Sequence, residues 1–429
     1  MQPESIAQAP QHIVSLSAQN LIGSEIIKLA GEIKDKIKQG EKIFNLTIGD
    51  FDPKIFPIPA ELKQEIINAY QSNETNYPEA NGVAELRQEV SEYLNATLAL
   101  NYPAEQILIS GGARPLIYAT YLTLLDEGDT VVFPVPSWNN NHYTYLSKAK
   151  PVAVETRPEN HFMPTAVELA PYLSDATLLA LCSPLNPTGT IFTKKDLEEI
   201  CDLILLENSK RTKGQKPLYL MYDQIYWALT FGHTEHYDPV SLRPEMRHYT
   251  IFIDGISKAF AATGVRVGWA FGPVTIMEKM KAILSHIGAW SPKAEQVATA
   301  KYLKNTNALN SYIEGFKDQI EVRLNKFHQA FQTLKSNGMN VDSIVPQGAI
   351  YLTVKFDLQG KTRQNGEVIA TTKDVSKFLI DNVGLALVPF SAFGFMHDSA
   401  WYRLSVGTCK LEDIDEIMHS VETELKKLQ

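Results

Sequence analysis

The sequence has little cysteine and no long apolar run. Its three cysteines, Cys182, Cys201 and Cys409, are too few and too far apart for a disulfide framework or a zinc site, so we expect a reducing, cytoplasmic environment and no metal. No stretch approaches the roughly 20 apolar residues that span a bilayer. The N-terminus also lacks the basic start and apolar core of a signal peptide. We therefore expect no membrane association.

An excess of positive charge is also missing. The 40 Lys and Arg residues stand against 49 Asp and Glu residues, which gives a formal net charge of -9. Such a balance repels nucleic acid unless a local basic patch intervenes. The lysines of "EIKDKIKQGEK" alternate with acids and apolar residues, which is typical of a solvated amphipathic helix. We therefore expect no nucleic-acid partner.

Chain length and hydrophobic content, by contrast, are ample. With 429 residues, 44% of them hydrophobic, the chain can bury a large core and a smaller one. From about residue 105, short apolar strands such as "QILIS", "DTVVFP", "TLLALCS", "PLYLMYD" and "TIFIDG" alternate with helical stretches. This alternation predicts an α/β fold with a mostly parallel sheet buried on both faces.

Helices are predicted on both sides of this region. Apolar residues at helical spacing predict an amphipathic helix between Ser24, as N-cap, and Gly40, as stop. "AELKQEIINAYQ", "VAELRQEVSEYL", "VTIMEKMKAILSHI" and "KAEQVATAKYLKN" predict four more, followed by a charged helix near 312–336. Near the C-terminus, the strands "GAIYLTVKF" and "WYRLSVG" and the closing helix "LEDIDEIMHSVETELKKL" predict a smaller α+β unit.

The loops that follow the strands are where ligands bind in open parallel sheets. The first strand runs into "GGARPL", where Gly111 and Gly112 open a helix N-terminus that favours an anion; a tight turn is the alternative. The next loop places Trp138 among prolines and asparagines, either facing a flat ligand or only half-buried. "SPLNPTGT" holds Asn186, which either binds an oxygen or belongs to an ordinary turn.

Charged side chains follow the next two strands. "YLMYDQIYW" sets Asp223 at a strand end, where a buried acid needs a cation or a donor, with helix capping as the alternative, and Tyr226 follows three positions later. "FIDGISKAFAATGVRVGW" sets Lys258 among small and apolar residues, with Arg266 eight positions on. Burial and a neighbouring cation lower the pKa of a lysine, which makes its amine a nucleophile towards aldehydes.

In this order the motifs resemble those of the fold-type I, pyridoxal-phosphate-dependent aminotransferases of class I/II, the aspartate aminotransferase superfamily. The resemblance covers nearly the whole chain, from "LTIGDFDP" and "NYPEANGVAELRQEV" to "WYRLSVG", and is most specific at the lysine segment and "NPTG". It implies a seven-stranded sheet between helices in a large domain at 58–336. An N-terminal arm and part of a small domain would lie at 1–57, and the rest of the small domain at 337–429.

The resemblance also implies roles for the residues around the cofactor ring. Lys258 would hold pyridoxal 5'-phosphate as a Schiff base and then move the proton between substrate Cα and cofactor. Asp223 would keep the ring nitrogen protonated. Asn186 and Tyr226 would hydrogen-bond the phenolic oxygen, and Trp138 would stack on the ring.

Phosphate and substrate contacts are implied in the same way. Arg403 would grip the substrate α-carboxylate, and Gly49 would lie at the substrate site with Asn186 and Trp138. Tyr77 would reach the phosphate of a neighbouring subunit, which implies a homodimer with shared active sites. The phosphate ligands within one chain would be Arg266, Ser257 and the backbone of Gly112, Ala113 and Arg114.

Two positions depart from the family pattern. Many relatives carry Ser or Thr three residues before the lysine, where this chain has Gly255. Relatives that select aspartate hold its side-chain carboxylate with a second arginine or with a lysine just after the glycine pair. Here Ala113 follows that pair, and "KMKAILSHIGAWSPK" offers His286 and Trp290 but no arginine. Arg114 is the remaining candidate, although the sequence does not favour it.

The expected function is transfer of an amino group from an L-amino acid to a 2-oxo acid, with 2-oxoglutarate as the expected acceptor and ping-pong kinetics. A lyase or decarboxylase that uses the same Lys258 and Asp223 is the first alternative, because the bond that breaks depends on which one stands perpendicular to the ring. A regulator that carries this fold as a binding module is the second. The first matched motif begins at Leu46, which leaves too few residues for a winged-helix domain and its linker.

Overall fold

The computed structural model describes residues 14–21, 23 and 25–429. Ser24, the predicted N-cap of the first long helix, lies outside the described residues. The helix itself is present at Glu25–Lys38. It ends before Gly40, whose φ of +96° allows the left-handed turn that stops a helix.

Strands and helices alternate along most of the chain. The strands are β1 Phe44–Asn45, β2 Ile107–Ser110, β3 Thr130–Val135, β4 Lys150–Glu155, β5 Ala176–Cys182, β6 Tyr219–Asp223, β7 Thr250–Gly255, β8 Gly268–Phe271, β9 Val341–Ser343, β10 Tyr351–Phe356, β11 Leu385–Ala386, β12 Val388–Pro389 and β13 Trp401–Ser405. The α-helices are α1 Leu16–Gln19, α2 Glu25–Lys38, α3 Ala60–Gln71, α4 Ala84–Leu98, α5 Ala113–Leu124, α6 Asn140–Leu146, α7 Ala166–Leu169, α8 Lys194–Lys210, α9 Pro239–Leu242, α10 Ile256–Ala259, α11 Val274–His286, α12 Lys293–Lys304, α13 Thr306–Ser336, α14 Thr372–Phe378 and α15 Asp413–Leu425.

The main sheet has seven strands in the order β2-β8-β7-β6-β5-β3-β4. The pairs from β7 through β6, β5 and β3 to β4 are parallel, whereas β8 runs antiparallel to both β2 and β7. Every residue of β2 and β7 is buried, because helices cover both faces of the sheet. The prediction of an α/β fold with a mostly parallel sheet is confirmed.

A second, smaller sheet has the order β12-β13-β10-β9 and is antiparallel. Its core is shared with the long helix α13, which buries Phe316, Ile320, Leu324 and Phe327 there. β1, from the N-terminal part of the chain, pairs in parallel with β11. Both ends of the chain therefore contribute to this smaller unit. The predicted domain boundaries at 57/58 and 336/337 stay a prediction.

Sequence and structure differ in a few element bounds. α13 begins six residues before the predicted 312, because the Asn305 side chain accepts a hydrogen bond from the backbone N–H of Ala308 at 3.2 Å and caps it there. The predicted α4 face of Val83, Leu86, Val90 and Leu94 is buried. Over the described part of the chain, no helix is long and apolar enough to cross a membrane.

Candidate active site

The carboxyl ends of the parallel strands meet at one edge of the main sheet and open into a cavity of about 640 Å³. This cavity brings together most of the predicted site residues, although they are spread over more than 350 positions of the sequence. Two predicted residues, Gly112 and Tyr77, are not among its lining residues. The predicted residues that line it are Gly49, Ala113, Arg114, Trp138, Asn186, Asp223, Tyr226, Ser257, Lys258, Arg266 and Arg403.

Lys258 lies on the single turn of helix α10, which follows β7 directly. Its Nζ donates a hydrogen bond to the backbone oxygen of Gly49 at 2.6 Å. Burial lowers the pKa of the Lys258 amine to about 8. The Asp50 carboxylate opposes this shift, whereas three nearby guanidinium groups reinforce it. The amine is therefore much closer to its neutral, nucleophilic form at neutral pH than an exposed lysine.

Asp223 ends β6, between Cys182 of β5 and Ile253 of β7. Its Oδ1 accepts a hydrogen bond from the backbone N–H of Ile225 at 3.1 Å within a turn. The next helix after β6 is α9 at Pro239–Leu242, so Asp223 does not cap a helix, which was the alternative. The residue lines the cavity. Burial raises the pKa of Asp223 to about 6, against the lowering effects of that N–H and of Lys258. A cation placed in the cavity would favour the ionised carboxylate.

An anion cradle lies at the N-terminus of helix α5. Gly112 precedes the helix with φ +97°, and its neighbour Gly111 accepts a hydrogen bond from Arg266 Nη2 at 2.8 Å. A Cβ at Gly112 would lie 2.7 Å from Arg266 Cζ and closer still to Nη2. A Cβ at Gly268 would lie 2.6 Å from the carbonyl carbon of Gly112. Gly112 thus makes room for the Arg266 guanidinium, and Gly268 lets β8 approach the helix N-terminus. The guanidinium and the helix N-terminus together are a donor set suited to phosphate.

The departure at Gly255 has a steric reason. A Cβ at this position would lie 2.7 Å from Gly268 Cα and 2.8 Å from the backbone oxygen of Val267. The serine or threonine of many relatives therefore does not fit here. Ser257, which lies two positions after Gly255 and directly before Lys258, carries a hydroxyl and lines the cavity.

Arg403 on β13 is 2% exposed and reaches the cavity from the smaller sheet. Its Nη1 donates to Asn186 Oδ1 at 3.0 Å and its Nη2 to the backbone oxygen of Thr47 at 2.5 Å. Its Nε is buried and has no hydrogen-bond partner within the described residues. Burial lowers the pKa of Arg403. A buried guanidinium with an unsatisfied donor is suited to an anionic ligand.

Trp138 lies in the loop after β3, where its half-buried ring lines the cavity. The guanidinium of Arg114 lies 4.5 Å from the centre of that ring. The Arg114 guanidinium makes no hydrogen bond or ion pair with another described residue. The loop therefore presents a flat aromatic surface and a free cation together.

Tyr77 lies outside the cavity of its own chain. It is 80% exposed, and its ring centre lies 5.1 Å from that of Trp290. An exposed tyrosine can reach a second copy of the chain, but its predicted contact with a neighbouring phosphate stays a prediction.

The structure adds site residues that sequence reasoning missed. Tyr351, the first residue of β10, has its hydroxyl 2.6 Å from that of Tyr226. Asp50 accepts a hydrogen bond from Thr263 Oγ1 at 2.7 Å, and Cys182 lies beside Asp223. Asp50 follows the predicted Gly49 in "LTIGDFDP" and could have been found from that motif. "GAIYLTVKF", by contrast, marks Tyr351 only as a strand residue.

Comparison with known proteins supports the resemblance. Residues 41–421 match the family described as aminotransferase class I and II. Aspartate aminotransferase of Rhizobium meliloti (strain 1021) is 28% identical over 396 residues, which cover 91% of this chain and 90% of that protein. A probable aspartate/prephenate aminotransferase of Rickettsia conorii is 28% identical over 406 residues, covering 92% of this chain and 94% of that one.

Solved structures have the same fold. The crystal structure of the aspartate aminotransferase from Rhizobium meliloti superposes with a TM-score of 0.86 at 24% identity and covers 97% of this chain and 99% of that one. The aromatic aminotransferase from Pyrococcus horikoshii OT3 superposes with a TM-score of 0.78 at 28% identity and covers 92% of this chain and 98% of that one.

Proposed function

Because the chain belongs to the class I and II aminotransferases, which use pyridoxal 5'-phosphate, we propose that it moves the amino group of an L-amino acid to a 2-oxo acid with Lys258 as the reactive amine. One observation carries this assignment: the half-buried Lys258, whose pKa is lowered to about 8, shares its cavity with the half-buried acid Asp223. This pairing supplies both a nucleophilic amine and a counter-charge for a protonated ring nitrogen.

The residues present fit the cofactor. The cradle of Gly112 and Arg266 suits the phosphate, and Trp138 offers a face for the ring. The oxygen of the Asn186 side chain is engaged by Arg403, so its amide nitrogen remains to donate to the phenolic oxygen. When bound, the cofactor supplies an electron sink for the negative charge that develops at substrate Cα.

The protein groups then have separate tasks. Lys258 would hold the cofactor through its amine and, when free, would take the proton from substrate Cα as general base and return one as general acid. Asp223 would be ionised and would supply the counter-charge to a protonated ring nitrogen. Arg403 binds the α-carboxylate, which fixes the direction in which the Cα–H bond points.

For the substrate side chain, we propose that Arg114 selects a second carboxylate, as in aspartate, glutamate and 2-oxoglutarate. Lys258, Arg266 and Arg403 have the tasks given above, so Arg114 is the cavity cation left without a partner among the described residues. The names of the relatives, aspartate and aspartate/prephenate aminotransferase, agree with an acidic substrate. The nearby phosphate is the competing partner for the Arg114 guanidinium.

Arg114→Met separates these two partners because it keeps an apolar stem on Trp138 and removes the charge. Loss of a charge-assisted hydrogen bond costs about 1.5–3 kcal/mol, so kcat/KM for aspartate should fall roughly 10- to 150-fold. The value for an apolar or aromatic amino acid should not fall. An equal fall for all substrates, with weaker cofactor binding, would assign Arg114 to the phosphate instead.

The half-reaction tests the proposed reaction itself. L-amino acid added alone should bleach the absorbance of the lysine-bound cofactor stoichiometrically, and 2-oxoglutarate should restore it. Lys258→Ala, as the control, should remain folded and show neither the lysine-dependent band nor turnover. Steady release of ammonia or carbon dioxide would show a lyase or a decarboxylase instead. A panel of amino acids with 2-oxoglutarate would then identify the donor.

We also propose a homodimer in which Tyr77 of each subunit reaches the phosphate of the other. Its 80% exposure in one chain supports this, because the ring is free to contact a second copy. Mixing the Lys258→Ala chain with a Tyr77→Phe chain gives hybrids in which one site has both native residues. Such hybrids should bind cofactor more tightly than Tyr77→Phe dimers; monomers in sedimentation would contradict the assembly.

A further inference from the structure

Tyr351 and Tyr226 are hydrogen-bonded to each other at the wall of the cavity. Their hydroxyl oxygens are 2.6 Å apart, and their rings meet edge to face with centroids 5.6 Å apart. Tyr351 is 1% exposed and Tyr226 3% exposed. Neither hydroxyl has another hydrogen-bond partner in the part of the chain that the structure describes. One of the two hydroxyl protons therefore lies in the hydrogen bond between the tyrosines, and the other is free to be donated elsewhere.

The surroundings hold the Tyr351 hydroxyl in place. A Cβ at Gly49 would lie 2.8 Å from that hydroxyl oxygen, so the absence of a side chain at Gly49 makes room for it. A Cβ at Gly189, in the "NPTG" loop, would collide with the backbone carbonyl of Tyr351. The Arg403 guanidinium lies 4.7 Å from the centre of the Tyr351 ring. The segments that carry Gly49, Gly189 and Arg403 therefore hold Tyr351 in place, although the proposed reaction has so far given Tyr351 no role.

The charge of Arg403, 4.7 Å from the centre of the Tyr351 ring, favours Tyr351 as the donor of the hydrogen bond. Burial raises the pKa of both phenols, that of Tyr226 further than that of Tyr351, and the Arg403 guanidinium beside the Tyr351 ring opposes the rise at each hydroxyl. Tyr351 is thus the stronger acid of the two, and the stronger acid is the better donor. A Tyr226 oxygen that accepts from Tyr351 keeps its own proton free for the cavity.

We propose that Tyr351 is a positioning residue that donates to the Tyr226 oxygen and thereby directs the Tyr226 proton at the phenolic oxygen of the cofactor. This inference rests on the proposed function. A hydrogen bond received by Tyr226 strengthens the one that it donates, by roughly 10–30%. The donated bond draws charge from the phenolic oxygen, and the Lys258 nitrogen, which shares its proton with that oxygen, then loses the proton more readily. Tyr351 therefore lowers the pH at which the lysine-bound cofactor titrates.

The test is a pH titration of the absorbance of bound pyridoxal 5'-phosphate. Tyr351→Phe should raise the midpoint by about 0.1–0.7 pH unit, as expected for weakening a charge-assisted bond by the fraction given above. Tyr226→Phe should raise it further. In the Tyr226→Phe background, adding Tyr351→Phe should produce no additional shift, because Tyr351 acts through Tyr226.

Tyr402→Phe is the matched control. Tyr402 is equally buried on the neighbouring strand β13, but its hydroxyl donates to the backbone oxygen of Thr372 at 3.1 Å, outside the cavity. This variant should lose comparable thermal stability and leave the midpoint unchanged. A purely structural role of Tyr351 would give the same result for Tyr351→Phe, and that result would overturn the inference.

The other possible results decide the matter as well. An equal shift in the wild-type and Tyr226→Phe backgrounds would show that Tyr351 contacts the cofactor directly and would overturn a role through Tyr226. A wild-type chain without any lysine-dependent band would overturn the assignment of Lys258, and the inference with it. A normal band with an unmoved midpoint would overturn the role of Tyr351 alone.

Discussion

Gly112→Ala should impair phosphate binding through one identifiable clash. The new Cβ would lie 2.7 Å from Arg266 Cζ, so the guanidinium would have to leave the position in which it donates to the Gly111 oxygen. The φ of +97° and ψ of 178° at Gly112 belong to a region that is nearly restricted to glycine, which adds about 1–3 kcal/mol of strain. The substitution therefore combines a displaced cation with a less stable backbone.

The displacement of the Arg266 guanidinium sets the expected loss of affinity for a phosphorylated ligand. Hydrogen bonds between a guanidinium and a phosphate contribute about 1.5–3 kcal/mol, which corresponds to a roughly 10- to 150-fold higher Kd. Calorimetric titration with pyridoxamine 5'-phosphate measures this, because its amine forms no covalent bond to Lys258. Pyridoxamine without the phosphate should bind the variant and the wild type equally well.

Gly128→Ala is the control that introduces a similar backbone strain without a steric clash. Gly128 has a similar φ of +89°, but the nearest atom to its added Cβ would be Lys150 Cε at 3.9 Å. This control should lower the melting temperature and leave the affinity for pyridoxamine 5'-phosphate unchanged. The reasoning would be refuted if Gly112→Ala bound the phosphorylated ligand normally, or if it lost affinity equally for both ligands.

The lowered pKa of Lys258 predicts that the cofactor-free chain reacts with pyridoxal 5'-phosphate faster as the pH rises through about 8; stopped-flow absorbance with a midpoint near 10.5 would contradict this. Burial raises the pKa of Asp223 from 3.8 to about 6, so its contribution to the stability of the cofactor-free protein is lost as the pH rises through that window. Asp223→Asn should therefore melt higher than the wild type above pH 6 without cofactor, yet bind cofactor more weakly; parallel melting curves at every pH would argue against a buried charge. Arg403→Ala should weaken amino-acid binding by about 2–5 kcal/mol while cofactor affinity changes far less, and equal losses of both would remove Arg403 from its assigned role.

Much of the fold could be predicted because the central strands are apolar on both faces. β2, β3, β5, β6 and β7 each stand out as a short apolar run followed by a distinctive loop, and those loops supply most of the cavity. β4 and β8 were not among the predicted strands. β4 is an edge strand with much exposed surface that begins with Lys150 and Pro151, and β8 has only four residues and begins with Gly268.

The contacts between distant segments could not be predicted from local pattern. Arg403 and Asn186 are 217 positions apart, and only the folded chain shows that their side chains are bonded. The tyrosine pair joins residues 125 positions apart, and Tyr351 by itself has the pattern of any buried strand residue. The local sequence pattern therefore indicates the charged groups of the cavity, but not the neighbours that orient them.

The short segment that β1 anchors to β11 has a practical consequence for anyone who shortens this chain. Thr47 and Gly49, just beyond β1, supply backbone acceptors to Arg403 and Lys258 respectively. A truncation at residue 51 would leave the main sheet and its loops complete. It would nevertheless leave one donor of Arg403 and one donor of Lys258 without its acceptor. Residues 44–50 therefore belong to the minimal catalytic unit.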